Sequence, residues 1–387
     1  MNVRAESVLR LSFEQVCARR LERHALAAPV RGTPAEVVAA MAGTHAQVMS
    51  AAELAVGLRS EGATRADVRE ALWRDRSLVK AFGPRGTVHL LPAVDLSRWV
   101  GALSALPQER PGFTEKAALT PGQTEEVVAA AGEAVRDGDL TVEELGDRII
   151  ALTGGWAGDL VMPAFQGMWP RWRQALPLAG ARGAVCFGPN RGRKVTYSDP
   201  RRRVPGFRPA GAEESLGWLV RSYLHAYGPS TPERFAHWAS VPAAWARELF
   251  ASLGAGLERA EVEGEAAWTA AGDTAVPADP PQGVRLLPYF DGYAYRVGNQ
   301  PPALLYPGTA GQRALRGNFQ LLLVEGRVAG LWHQRRSGRR IEMTVESFAV
   351  LDGTRRAELE AQVARVGEVL EGEPRLTLGP VTVGGHA

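Results

Sequence analysis

The chain has 387 residues and a mass of 41.6 kDa, room for roughly two to four domains. It is 45% hydrophobic and 22% charged with a net charge of +3, the balance of a soluble globular protein; it holds no run of about 18 uncharged apolar residues, so a spanning helix is excluded. The opening MNVRAESVLRLSFEQV is broken by charge and lacks a signal-peptide core, and Cys17 and Cys186 are too few for a disulfide framework or a paired-cysteine zinc site; a cytoplasmic protein with no membrane anchor, metal or cofactor is expected.

The elements repeat along the chain. Thr33-Pro34-Ala35-Glu36 places a cap, a first-turn proline and a box glutamate before VVAAMA, with Gly43 as the stop. Ser50 and Glu53 predict a second box opening AAELAVGLR, and Thr64 with Asp67 predicts a third helix to about Arg74. SLVKAFGPRGTVHLL then reads as a hairpin turning at Gly83-Pro84-Arg85-Gly86. Three helices followed by a hairpin is the order of a winged helix.

The order recurs twice. Thr120 and Gln123 cap a helix to about Arg136, Thr141 and Glu144 box another to about Leu152, PAFQGMWPRWRQAL is assigned the third helix, and AVCFGPNRGRKVTYSD the hairpin. The last cycle runs through ESLGWLVRSYLHAYG, a Ser230–Glu233 box, a helix after Ser240, and a hairpin turning at Glu263-Gly264. A linker from Gly272 to Gln282 precedes short strands, a helix at about Arg355–Leu370 and a final strand near Arg375–Val383. The expected fold is α+β: three tandem winged-helix units at 1–112, 113–208 and 209–272, then a small β-barrel-like domain at 283–387.

Charge is segregated. Of the 45 basic residues only Lys80, Lys116 and Lys194 are lysines. Arginine's planar fork suits phosphate, although a GC-rich genome would give the same bias. Residues 193–208 carry six basic side chains against Asp199, and 313–340 carry seven against Glu325, while 341–375 is net acidic. Such segregation is the footprint of nucleic-acid binding or of a solvated surface.

Candidate chemistry lies in Gly43-Thr44-His45-Ala46-Gln47-Val48-Met49, between two capped helices. An extended segment would turn His45 and Gln47 to one side and Ala46 to the other. The pair could hold a water, imidazole accepting a proton and carboxamide orienting; the ordinary alternative is a polar linker that caps helix ends. His89 is either site-lining or a strand histidine bonded to backbone. Asp291, inside Pro288-Tyr289-Phe290-Asp291-Gly292-Tyr293, is either site-lining or a buried structural carboxylate. H-E-x-x-H, a P-loop, G-x-G-x-x-G and G-x-S-x-G are absent. The ten tryptophans read mainly as core, with base stacking as the other use.

The layout resembles the AlkZ-like DNA glycosylases. The resemblance is carried by Gly43-Thr44-His45-Ala46-Gln47, Arg85-Gly86-Thr87-Val88-His89-Leu90, Ala226-Tyr227-Gly228-Pro229-Ser230-Thr231-Pro232, Leu286-Leu287-Pro288-Tyr289-Phe290-Asp291-Gly292-Tyr293 and Gly326-Arg327-Val328-Ala329-Gly330-Leu331-Trp332. It implies monofunctional excision of N7-alkylguanine-type lesions in duplex DNA, in some members bulky adducts in antibiotic self-resistance. The family's catalytic signature is Gln, an apolar residue, then Gln. Gln47 matches the second position and His45 replaces the first. His45 and Gln47 are therefore the expected catalytic pair of a base-excision enzyme, a monomer at the nucleoid when bound. Arg85, Arg191, Arg193, Lys194, Arg201, Arg202, Arg203, Arg335, Arg336, Arg339 and Arg340 are the expected DNA contacts. A Schiff-base lyase would need an amine, and none of the three lysines adjoins the segment in sequence. The alternatives are a non-enzymatic winged-helix transcriptional regulator, usually a dimer on a palindrome, and a protein–protein scaffold.

Overall fold

Four helices begin where a side chain closes on the first turn. Both bonds of a capping box form at Ser12 and Gln15 before Phe13–Arg23, and at Thr33 and Glu36 before Pro34–Ala40. They form again at Thr120 and Gln123 before Pro121–Ala134, and at Thr141 and Glu144 before Val142–Thr153. Each satisfies two donors that a helix start leaves open. These are features of a computed structural model that describes residues 8–107, 114, 117–164, 167–294, 302–304, 307, 313–314 and 319–382.

Two expected boxes do not form. The helix Met49–Gly57 starts after Val48, which supplies no side-chain cap, so Ser50 lies inside it. Glu53 is buried and takes the Arg69 fork at 2.7 and 3.0 Å instead of reaching back. At Pro232–Ala239 the cap is Thr231, whose hydroxyl accepts from the Arg234 amide at 3.3 Å. Ser230 shares its hydrogen bond with the Tyr223 hydroxyl at 2.8 Å. In both cases a tertiary partner outcompetes the local one.

The segment PAFQGMWPRWRQAL is not a helix at its start. Leu160–Ala164 and Gly167–Pro170 form an antiparallel ribbon, followed by a tight 3-10 turn at Arg171–Ala175 and the helix Leu176–Ala181. Pro163 and Pro170 remove amide donors, and Gly167 takes φ +93°, which defeats a helical ladder. Trp172 enters the core, while Trp169 is exposed with the Arg173 guanidinium 4.2 Å from its ring centre.

The three expected hairpins form: Leu78–Phe82 with Val88–Pro92, Cys186–Arg191 with Lys194–Ser198, and Leu257–Val262 with Glu265–Ala270. Glu263 and Gly264 turn the last at φ +49° and +84°, the two left-handed positions that a two-residue hairpin turn requires. An unforeseen strand, Leu9–Leu11, pairs in parallel with Leu257–Val262, and the Phe13 amide donates to Glu263 at 2.6 Å. The expected linker is also anchored. Asp273 takes Arg19 at 2.9 Å, Arg23 at 2.6 Å and His225 at 3.0 Å.

The C-terminal region is a curled five-stranded sheet in the order Val284–Leu287, Gln320–Val324, Arg327–Ser337, Arg340–Ser347, Glu373–Leu378, its last pair parallel. The first and last strands do not pair with each other, so it curls without closing. Val284, Leu286, Trp332, Ile341 and Met343 pack with Leu359, Val363 and Val366 of the helix Gly353–Val369 and with Leu54 and Leu58. Gly57 allows that approach: a Cβ there would lie 2.3 Å from Val369 Cγ1. Arg365 also donates to the carbonyls of Gly57, Ser60 and Ala63 at 2.7–2.8 Å. The helix that follows Gln47 is thereby fixed to the sheet's helix.

The chain forms two compact units, one of residues 1–71, 220–237 and 243–387, the other of 72–219 and 238–242. His45, Gln47 and Asp291 belong to the first, and His89 with the hairpin Cys186–Ser198 to the second.

Candidate active site

The segment that carries His45 is set by the helix before it. Pro34–Ala40 ends at Met41; Ala42 and Gly43 turn back at φ +53° and +90°, and the Gly43 amide bonds to the Val38 carbonyl at 3.0 Å. Thr44–His45 is then extended, and Met49–Gly57 begins four residues after His45. Within this stretch His45 is 8% exposed and Ala46 0%, whereas Gln47 is exposed. The pair thus sits at a boundary, imidazole inside and carboxamide at the solvent edge.

Two contacts fix this stretch. The Tyr227 hydroxyl donates to the Met41 carbonyl at 3.0 Å. It also lies so close to Gly292 that a Cβ there would come within 2.6 Å of it. The other contact is Phe290, whose ring centre is 4.6 Å from that of His45 with planes tilted by 35°. Phe290 itself is at φ +60°, a region that a bulky residue occupies only under constraint.

The residue that follows is an anchored carboxylate. Asp291 accepts both arms of the Arg59 guanidinium at 2.8 and 2.7 Å, and the Tyr293 amide donates to it at 3.1 Å. Arg59 donates also to the Ala55 carbonyl at 2.9 Å, and both partners are buried. Bidentate geometry is the strongest form of this pairing. Of the two uses expected for Asp291, the observed bonding is that of a structural carboxylate with its oxygens engaged.

Beneath the turn, His24 is fully buried. Its Nε2–H donates to the Ala226 carbonyl at 3.0 Å, and its ring meets Tyr227 and Tyr293 edge-on. Burial first, then the Arg59 and Arg20 charges, hold its imidazole well below the ordinary histidine range, so it is neutral. Arg59, Tyr227, His24 and Phe290 carried no signal of their own, and the partners of the first three, Asp291, Met41 and Ala226, lie more than 180 positions away. Tyr227 and Phe290 did fall inside the motifs that carried the resemblance.

The second unit holds the other candidates. His89 is buried in the strand Val88–Pro92, and its Nδ1–H donates to the Thr87 carbonyl at 3.0 Å. Arg85, at φ +64°, donates to the Trp238 carbonyl. Lys80 lies over the Phe187 ring at 5.2 Å, and Lys116 is outside the described residues.

The basic clusters are less bare than their sequence windows. Arg191 pairs with Glu144 at 2.7 Å, Lys194 with Glu143 at 3.5 Å and Arg201 with Asp199 at 3.4 Å. Arg202 reaches Asp139 at 3.9 Å, and Arg203 is buried against the same carboxylate. The Arg191 and Thr141 bonds hold the Glu144 carboxyl below its usual range, the backbone bond contributing most. On the sheet, Arg339 pairs with Glu373 at 3.4 Å and Arg340 with Glu342 at 3.6 Å, while Arg336 donates to the Gly338 carbonyl at 2.8 Å. Arg193 and Arg335 are exposed and make no ion pair among the described residues.

The sequence matches the family described as DNA glycosylase AlkZ-like over residues 38–369, a span that includes His45, Gln47 and Asp291. The chain belongs to the AlkZ-like family and is a DNA glycosylase, an enzyme of DNA repair; the regulator and scaffold readings fall with that. It is 30% identical over 335 residues to an interstrand DNA cross-link repair glycosylase of Streptomyces sahachiroi, covering 84% of this chain and 88% of that protein. It is also similar in structure to the Streptomyces sahachiroi DNA glycosylase AlkZ, with a TM-score of 0.78 and 27% identity over 96% of this chain and 100% of that one.

Proposed function

We propose that the enzyme hydrolyses the N-glycosidic bond of cationic N7-alkylguanine in duplex DNA, bulky natural-product adducts included, through a water held by His45 and Gln47. The observation that carries this reading is the contrast within three residues: His45 is 8% exposed, Ala46 0%, and Gln47 open to solvent. Alkylation at N7 makes the base a good leaving group, so no general acid is required. What remains is to stabilise an oxocarbenium-like sugar and to place a water at its anomeric carbon. Gln47 orients that water, and His45 accepts its proton. The name of the cross-link repair relative favours a site that accepts large adducts, as self-resistance to a DNA-alkylating product would need.

The three helix-then-hairpin runs serve as winged-helix units over 1–112, 113–208 and 209–272, with the sheet of 283–387 as the fourth part. The enzyme works as a monomer, in the cytoplasm at the nucleoid. Arg193 and Arg335 meet phosphates directly, whereas Arg85, Arg191, Lys194, Arg201, Arg202, Arg336, Arg339 and Arg340 exchange or share a present partner to do so. Arg203, buried on Asp139, contributes by holding the hairpin.

The test is single-turnover excision from a duplex carrying one N7-alkylguanine. Gln47→Ala is expected to lose about 10²–10⁴-fold while undamaged-DNA affinity stays near wild type. His45→Ala loses activity too, and His45→Gln retains part of it. The wild-type rate falls on acidification as imidazole protonates, and the His45→Gln profile is flatter. Full excision by both alanine variants would falsify the assignment.

A further inference from the structure

The Arg59–Asp291 pair is buried, and its burial calls for a reason. Side chains of 0% and 2% exposure form it, and a buried ion pair is no better for stability than a well-packed apolar pair of the same volume. What such a pair gives is one defined geometry. Here that geometry is the turn from Pro288 to Ala294: Asp291 accepts the Tyr293 amide at 3.1 Å, and the Ala294 amide bonds to the Asp291 carbonyl at 3.3 Å. The residue before Asp291 is Phe290, held at φ +60° with its ring against the His45 imidazole. Backbone strain of this kind persists only where the surroundings over-determine it. Arg59 follows the same helix that begins just after Gln47, so one guanidinium ties the end of that helix to the turn covering His45.

We infer that Arg59 and Asp291 are positioning residues: together they hold the Phe290 ring against His45 and so set the orientation in which the imidazole meets the attacking water. The inference rests on the proposed role of His45. The ring fixes the imidazole plane, and with it the in-plane direction along which a ring nitrogen meets the water. Asp291, its oxygens engaged by Arg59 and the Tyr293 amide, acts through Phe290 and touches no substrate.

The single variants Arg59→Ala and Asp291→Ala threaten the fold, so the test uses Phe290→Leu and the paired replacement Arg59→Met with Asp291→Leu. Both are expected to fold, shown by circular dichroism, and to bind undamaged DNA as wild type does. Both should slow single-turnover excision by about 10–100-fold, the scale of a small misplacement, and Phe290→Tyr should restore most of the rate. The His45 imidazole protons should lose the ring-current shift that Phe290 imposes. Adding Phe290→Leu to His45→Ala should bring no further loss. A wild-type rate in folded Phe290→Leu, or a further tenfold loss in the His45→Ala background, overturns the inference. If His45→Ala itself excises fully, the proposed function fails, and the shift still decides positioning: its retention in the paired replacement overturns that as well.

Discussion

Arginine behaves differently in two regions of this molecule. Around Asp291 the guanidinium of Arg59 is dry and meets one carboxylate and one carbonyl. Along the hairpin Cys186–Ser198 and the turn after it, Arg191, Lys194, Arg201 and Arg202 are exposed to solvent and paired at 2.7–3.9 Å to single acids. In the first region a missing partner strands a charge where water cannot reach it. In the second, water or a phosphate replaces the partner at little cost, because exposed pairs are worth only about 0–1 kcal/mol. A tally of arginines therefore overstates the surface available to DNA.

Three measurements press on that difference. The largest effect belongs to the dry pair. Arg59→Ala leaves Asp291 buried and uncompensated and is expected to cost about 3–5 kcal/mol, read from the urea midpoint. The paired apolar replacement should cost far less. Equal losses would mean that packing, not charge, dominates there.

The wet cluster should behave in the opposite way. Replacing Arg193, Lys194 and Arg201 with alanine should barely change the melting temperature but should reduce the salt-dependence slope of DNA binding by roughly 2–3 if all three meet phosphates. Arg203→Ala should instead lower stability with little change in slope. An unaltered slope in the triple variant makes those residues ordinary surface charge.

The smallest effect is an intermediate case, the Asp273 carboxylate between Arg19, Arg23 and His225. Burial pushes its pKa up, but Arg19 and Arg23, with His225, outweigh burial and leave it below the ordinary value. A lowered folded-state pKa means that stability is present above the unfolded value of about 3.9 and is lost as pH falls through the lower one. The wild type should lose stability below about pH 4 more steeply than Asp273→Asn. Parallel acid curves would show that the ion pairs at Asp273 contribute nothing.

The same division between local and distant partners decides which contacts are legible in the sequence. Thr33 with Glu36, Thr120 with Gln123 and Thr141 with Glu144 cap as expected because each bond closes within three residues. The hairpin turn at Glu263-Gly264 is local in the same sense. The expectation failed where a distant group took over: Glu53 is drawn to Arg69, and Ser230 to Tyr223. Likewise, Asp291 stood out as an acid among aromatics, but its partner Arg59 is 232 positions away and looked like any helix-end arginine. The clustered charge at 193–208 was legible as composition, while the compensating Glu143, Glu144 and Asp139 come from other elements.

The strand Leu9–Leu11 has a consequence for synthesis. Its partner strand, and the Glu263 carboxylate that receives the Phe13 amide, lie 250 positions downstream. At about 5–20 residues per second, a ribosome takes roughly 12–50 s to deliver that partner. In the interval the unit that lies mostly in 72–219 emerges almost whole, with nearly all its contacts available. Folding on the ribosome should therefore run from the middle of the gene outward, with the N-terminal edge kept waiting for the hairpin that completes it.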